Sequence, residues 1–148
     1  MPVSSCLVDT NILLRLTRRS DPQHKLAGTA VARLAEQGSV LYFTQQNIAE
    51  LWNVMTRPVD RNGLGLTTAE AEREVQGIEA GMSLLPDSEA VYREWRRIVL
   101  EQGVSGVHVH DARLAASMYV HGVGNILTLN VEDFRRFPGL NPIHPASI

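Results

Sequence analysis

The chain has 148 residues, of which 44% are hydrophobic and 20% charged, a composition typical of a globular protein and not of a disordered or fibrous one. This length predicts a single domain over residues 1–148. No stretch approaches the roughly 18 consecutive apolar residues of a membrane-spanning helix, and no signal peptide pattern is visible. We therefore expect a cytoplasmic protein without membrane contact. The net charge of −2 gives no global indication of a nucleic-acid partner.

The basic residues are strongly skewed, because 13 of the 14 are arginine and Lys25 is the only lysine. Arginine suits bidentate contacts with phosphate. Five arginines stand close in sequence to the acidic positions discussed below: Arg15, Arg18, Arg19, Arg57 and Arg61. Codon usage in a GC-rich genome would produce the same skew, and we expect most of these side chains on solvated helix faces.

The first half of the chain is predicted as two strand–helix units. In chain order the segments are a strand over 4–8, a short helix to about residue 18, a helix over 21–38, a strand over 40–43, a helix over 44–57 and a loop over 58–66. Asp21 and Pro22 fit an N-cap followed by a proline in the first helical position. Thr44 fits the N-cap of the next helix.

The second half continues the alternation. In chain order it is predicted as a helix over 67–82, a strand over 83–85, helices over 87–103 and 111–121, a strand over 125–129, a helical turn over 130–137 and a short strand over 141–144. Thr67 and Glu70 fit a capping box, and Gly103 and Gly122 fit helix ends. The alternation predicts an α/β fold with a mostly parallel sheet and helices on both faces.

Four acidic residues follow predicted strands or begin predicted helices. Asp9 comes directly after the buried run 6–8, Glu50 flanks the apolar stripe of its helix, Asp111 begins a helix, and Asp133 begins a turn. Parallel strands end at one sheet edge, so several of these side chains should meet there. Clustered carboxylates are typical ligands of Mg²⁺ or Mn²⁺ and would repel one another without a cation. Taken singly, each acid also has an ordinary explanation as a cap, a first-turn residue or a solvated side chain.

The order and spacing of four segments resemble the PIN domain family, in particular the VapC-type toxin ribonucleases and related stand-alone nucleases. The segments are LVDTNIL at 7–13, IAEL at 48–51, HDARLAA at 110–116 and LTLNVEDF at 127–134. The resemblance implies a three-layer α/β/α sandwich and endonucleolytic hydrolysis of RNA that depends on Mg²⁺ or Mn²⁺. Its first three acids correspond to Asp9, Glu50 and Asp111.

The resemblance leaves the fourth ligand open. Many relatives carry an aspartate at the place of Asn130, whereas others keep asparagine and use an acid three residues later, which is Asp133 in this chain. Thr128 corresponds to a hydroxyl often found beside the site, and Asn11 to the third residue of the opening motif. We expect Thr128, Asn11 and Asn130 to support the metal ligands or to orient waters.

The resemblance also implies partners. A VapC-type toxin would act on RNA, bind a cognate antitoxin protein in a type II toxin–antitoxin pair, and form a homodimer to which exposed Leu14 and Leu16 could contribute. The departure at Asn130 leaves open a second interpretation, a non-catalytic PIN-like module that binds RNA or a protein.

Other sites of chemistry are less well supported. A receiver domain would present a lysine after a late strand, and Lys25 comes too early. A phosphatase of the haloacid dehalogenase type would need an aspartate where Asn11 stands. His108 and His110 have a spacing that in a strand would place both on one face, but no cysteine or third histidine accompanies them, so zinc is not expected. Cys6, the only cysteine, is expected in the core.

Overall fold

A five-stranded parallel sheet lies at the centre of the computed structural model, which describes residues 3–148. The strands are β1 (Ser5–Val8), β2 (Val40–Thr44), β3 (Ser83–Leu85), β4 (Asn125–Leu127) and β5 (Asn141–Ile143). Their order across the sheet is β3-β2-β1-β4-β5, and every neighbouring pair is parallel. All strands therefore end at the same edge, with β1 in the middle.

Seven α-helices connect the strands within the described residues. They are α1 (Thr10–Thr17), α2 (His24–Glu36), α3 (Gln45–Thr56), α4 (Thr68–Gly81), α5 (Glu89–Gln102), α6 (His108–His121) and α7 (Val131–Phe134). Short 3-10 helices cover Val59–Arg61 and Pro145–Ser147. No helix in residues 3–148 has both the length and the apolar composition needed to cross a membrane.

The sheet separates two hydrophobic clusters. Because side chains alternate along a strand, Cys6 and Val8 of β1 pack in the cluster formed with α1 to α4, whereas Leu7 packs in the cluster formed with α5 to α7. This arrangement confirms the predicted three-layer α/β/α sandwich. Cys6 is fully buried, and burial raises the pKa of its thiol to about 12, as befits a core residue.

Local sequence signals fix several helix ends. Thr44 forms a capping box with Asn47 at the start of α3, and Thr67 forms one with Glu70 at the start of α4. Gly103 adopts the left-handed conformation after α5, as Gly122 does after α6, and both positions confirm the predicted helix ends.

The predicted start of α2 and the predicted end of β4 are wrong. Helix α2 begins at His24 and not beside Asp21, because Asp21 Oδ1 accepts a hydrogen bond from the backbone N–H of Gln23 and closes a separate turn before the helix. Strand β4 ends at Leu127, two residues early, because the backbone N–H groups of Leu129 and Asn130 donate to side chains instead of a neighbouring strand.

A further prediction concerns the expected dimer surface. Leu14 and Leu16 are partly buried and pack against the cluster formed with α1 to α4, so the expectation that they are exposed is wrong. Their apolar side chains help to attach α1 to the core instead.

The loop after α3 folds back tightly on Arg57 and generates a stability prediction. A Cβ atom at Gly63 would stand 1.9 Å from the carbonyl oxygen of Arg57, whereas one at Gly77, on α4, would meet nothing within 4 Å. We expect Gly63→Ala to lower the free energy of unfolding by about 1–3 kcal/mol. Gly77→Ala should raise it by about 0.5–1 kcal/mol, because alanine favours the helix. Urea denaturation measures both, and equal stability of the two variants would contradict this loop conformation.

Candidate active site

Asp9 stands at the carboxyl end of the central strand and is only 8% exposed. Its backbone N–H donates to the carbonyl of Leu127 (3.0 Å), which extends the pairing of β1 with β4. One carboxylate oxygen accepts from the N–H of Thr10 (2.7 Å), and the other accepts from the hydroxyl of Thr128 (2.8 Å). Asp9 is thus the N-cap of α1, and its orientation is fixed by contacts from two different strand ends.

Asn11 and Thr128 connect the ends of β1 and β4. The Asn11 amide nitrogen donates to the Thr128 hydroxyl (3.3 Å) and to Asp9 (3.4 Å), and its oxygen accepts from the N–H of Leu129 (3.2 Å). The Thr128 hydroxyl also accepts from the N–H of Asn130 (3.0 Å). The two residues that the resemblance placed beside the site therefore form one hydrogen-bond network with Asp9.

Two buried polar residues in the first turn of α3 hold this helix against its neighbours. Asn47, which is fully buried, donates through its side chain to the hydroxyl of Thr10 (3.0 Å). Gln46 donates to the carbonyl of His110 (3.0 Å) and so reaches the first turn of α6. Glu50 lies one turn beyond Asn47 on the same helix, and it is exposed.

Sequence reasoning did not assign these positioning contacts. The sequence pattern assigns no role to Asn47 or Gln46. The available signal was two consecutive amides directly after a helix cap, in a segment where Ile48 and Leu51 already define the buried stripe.

The environment of Asp9 strongly opposes its negative charge. The pKa of this carboxyl is raised to about 6, mainly by burial and in smaller part by the carboxylates of Glu50 and Asp111, against the lowering effect of the hydrogen bonds from Thr128 and Thr10. The structure therefore brings Glu50 and Asp111 close enough to Asp9 to act on its ionisation. Repulsion of this kind is relieved by a bound cation.

Asp111 forms a second group with Asp133 and His108. Burial raises the pKa of Asp111, and the carboxylate of Asp133 adds to the increase, while the hydrogen bond with His108 opposes it. The Nδ1 atom of His108 lies 3.1 Å from the Asp111 carboxylate. One potential ligand atom from each of the three side chains lies within 4.8 Å of the others.

The strand-like interpretation of the two histidines is wrong. Helix α6 begins at His108, three residues before the predicted start, so His108 and Asp111 face each other at helical i,i+3 spacing. Sequence reasoning missed His108 as a site residue because it began the helix at Asp111. The spacing H-x-x-D within a helix was the signal that would have found it.

The two candidates for the fourth position differ in placement. The side chain of Asn130 is exposed and does not cap α7, although it precedes that helix. Asp133 is partly buried and acts directly on the ionisation of Asp111. Within residues 3–148, the geometry thus favours Asp133 as the partner of Asp111.

The donor set fits a hard divalent cation. Asp9 follows β1, whereas Glu50, Asp111 and Asp133 lie on α3, α6 and α7, and the pKa values of Asp9 and Asp111 are raised mainly by burial and also by the charges of neighbouring carboxylates. Oxygen ligands of this kind suit Mg²⁺ and Mn²⁺, and the single imidazole of His108 is compatible with Mn²⁺.

Comparison with known proteins identifies the family. The PIN domain profile matches residues 6–140, so the chain belongs to the PIN domain family. No curated protein matches it in sequence.

Several solved structures share the fold. A chain of the VapBC2 complex from Rickettsia felis, bound to a promoter DNA fragment, superimposes with a TM-score of 0.70 and 14% identity, covering 95% of this chain and 98% of that one. A chain of FitAcB from Neisseria gonorrhoeae superimposes with a TM-score of 0.67 and 18% identity, covering 97% of this chain and 99% of that one. VapC20 from Mycobacterium tuberculosis, a toxin that cleaves the sarcin–ricin loop, superimposes with a TM-score of 0.58 and 18% identity. The superposition covers 82% of this chain and 86% of that one.

The raised pKa of Asp9 predicts an unusual pH dependence of stability in a chelating buffer. Between pH about 4 and pH about 6 the native state binds more protons than the unfolded state, so the free energy of unfolding should fall as pH rises, by on the order of 2–3 kcal/mol. Asp9→Asn should remove most of this decrease. Chemical denaturation at a series of pH values in EDTA measures it.

The matched control is Asp60→Asn, which makes the same chemical change at an exposed position in the 3-10 helix Val59–Arg61. Its stability curve should follow that of the wild type. If the free energy of unfolding varied with pH in the same way for the wild type and for Asp9→Asn, the result would contradict the raised pKa of Asp9.

Proposed function

We propose that this protein is a metal-dependent endoribonuclease that hydrolyses RNA phosphodiester bonds. The observation that carries the proposal is the group of Asp111, Asp133 and His108, whose potential ligand atoms lie within 4.8 Å of one another, together with the buried Asp9, whose pKa is raised by burial and also by the charges of Glu50 and Asp111. Membership of the PIN domain family supports it.

In this proposal the four acids have distinct roles. Asp9 and Asp111 are direct ligands of Mg²⁺ or Mn²⁺, Glu50 binds the ion directly or through a water, and Asp133 completes the site. When bound, the ion lowers the pKa of a coordinated water and neutralises charge on the phosphoryl oxygens.

The supporting residues keep Asp9 in place for this role. The Thr128 hydroxyl and the Thr10 N–H each donate to one carboxylate oxygen and leave other lone pairs available. Asn11 holds Thr128 and so prevents the hydroxyl from turning away. Since these groups sit at the rigid ends of β1 and β4, the site needs little reorganisation to receive the ion.

The comparisons support a toxin as the biological role. The similar structures include toxin–antitoxin complexes and a toxin that cleaves the sarcin–ricin loop. We therefore propose a VapC-type toxin that acts on RNA in the cytoplasm, binds a cognate antitoxin and forms a homodimer. A non-catalytic PIN-like module is the alternative, and the acids at all three principal positions argue against it.

The first test is cleavage itself. We expect the purified protein to cleave RNA with Mg²⁺ or Mn²⁺ and to stop when EDTA is added. Asp9→Asn and Asp111→Asn should each reduce the rate by about 100-fold or more, because each removes a charged ligand with little change in shape. The control Asp60→Asn should retain wild-type activity. A gel-based assay with labelled RNA measures the rates.

Thermal unfolding of the same proteins separates catalysis from folding. If Asp111→Asn fails to fold, the carboxylate is needed for the stability of α6 and is not shown to be a ligand. Full activity in EDTA would contradict the metal mechanism. Metal should raise the melting temperature of the wild type more than that of Asp9→Asn, because only the folded state gathers the carboxylates.

A second test assigns the fourth ligand. Asp133→Asn should weaken Mn²⁺ affinity by about 10-fold or more, whereas Asn130→Ala should change it less, because a carboxylate contributes charge that an amide lacks. Asn130→Asp should strengthen binding or change the preferred metal. Calorimetric titration compares the three variants. A larger loss for Asn130→Ala would assign the fourth position to Asn130 instead.

A further inference from the structure

A polar pocket lined by three arginines lies between the ends of α1 and α3 and the loop over 58–66. Its volume is about 320 Å³, and its charged lining consists of Arg15, Arg18, Arg57 and one acid, Asp21. Three guanidinium groups thus face one carboxylate. We call this the arginine pocket.

The arginine pocket holds Arg57 firmly in place. The Nη2 atom of Arg57 donates to the carbonyl of Asn62 (2.8 Å), while the Arg57 carbonyl accepts from the N–H of Gly65 (2.9 Å). The close approach of Gly63 to the same backbone requires a glycine there. The loop is therefore folded around this side chain, yet the Nε atom of Arg57 is buried without a hydrogen-bond partner among the described residues.

Arg15 has a similar unsatisfied donor. Its Nη1 atom donates to the carbonyl of Asn11 (3.4 Å), whereas its Nε atom is buried and finds no partner within residues 3–148. The carboxylate of Asp21 is 3.8 Å from this Nε, beyond hydrogen-bonding distance, and its other oxygen is bonded to the N–H of Gln23.

Such donors are costly to leave unpaired. A buried N–H without an acceptor has lost its hydrogen bond to water and gained none in return, and the loss is larger when the group is charged. Elsewhere in the chain exposed arginines pair with acids on their own helix, as Arg93 does with Glu89. An anion with several acceptor oxygens would pair with the guanidinium groups that line the pocket and offset its excess positive charge.

We propose that the arginine pocket binds a phosphate group of the RNA strand on which the carboxylate site acts. This inference rests on the proposed function. Asp9 caps the start of α1, whereas Arg15 and Arg18 stand toward its other end, about 9 and 14 Å along the axis, which a single RNA strand can span. The pocket holds a phosphodiester of the strand away from the one that is cleaved, and its arginines are positioning residues for the strand.

The test measures RNA binding apart from cleavage. A labelled single-stranded oligoribonucleotide is titrated with protein in excess EDTA, and fluorescence anisotropy is recorded at several salt concentrations. Arg18→Gln and Arg57→Gln should each weaken binding by roughly 3- to 10-fold and reduce the slope of log K against log salt by about 0.7. The matched control is Arg19→Gln, which removes the same charge next to the pocket but outside its lining.

Three results would overturn the proposal. Arg18→Gln and Arg57→Gln could bind RNA no more weakly than Arg19→Gln. They could lower affinity without changing the salt slope. In the third result, the two pocket variants bind polyglutamate more weakly than the wild type does but bind RNA equally well. That result would assign the pocket to the carboxylates of a protein partner. Among the described residues no hydrogen bond joins the Arg18 side chain to the loop, so its variant remains informative if thermal unfolding shows that Arg57→Gln loosens the loop.

The cleavage assay keeps the two proposals distinguishable. Absence of RNA cleavage by the wild type with Mg²⁺ and Mn²⁺ would contradict the proposed function, whereas the anisotropy results would still decide whether the arginine pocket binds phosphodiester groups. If the wild type cleaves RNA and both pocket variants bind RNA as tightly as the wild type, only the proposal for the arginine pocket is overturned.

Discussion

The hydrogen bond from the Thr128 hydroxyl to the Asp9 carboxylate is the contact on which the candidate site depends. It joins the end of β1 to the end of β4 across 119 residues of sequence. It also stabilises the charged form of a carboxyl group whose pKa is raised by burial and by two neighbouring acids. Without this hydrogen bond the pKa of Asp9 would be higher still.

The same arrangement sets stability against function. Carboxylates brought together at one edge repel one another in the folded state, and the surrounding structure must hold them there. Asn47 and Gln46 provide this restraint, because their buried amides tie α3 to the first turns of α1 and α6. The two apolar clusters on either side of the sheet supply the free energy that makes the repulsion tolerable.

The sequence predicted those features that depend on neighbours along the chain. An apolar run that ends in an acid located Asp9, and capping residues located the starts of α3 and α4. The contacts that it did not predict join distant segments: Gln46 is 64 residues from His110, and Asn47 is 37 residues from Thr10. The role of His108 was not predicted for a local reason: the start of α6 has no side-chain cap that would mark it in the sequence.

The position of β1 in the sheet has a consequence for protein synthesis. β1 is made before its partner β4, and the hydroxyl of Thr128 is made 119 residues after Asp9. Domains fold as units during synthesis, and a sheet built from contacts this distant in sequence cannot close early. The carboxylates of Asp9, Asp111 and Asp133 therefore stay apart on the nascent chain until β4 and the segment after it have been made.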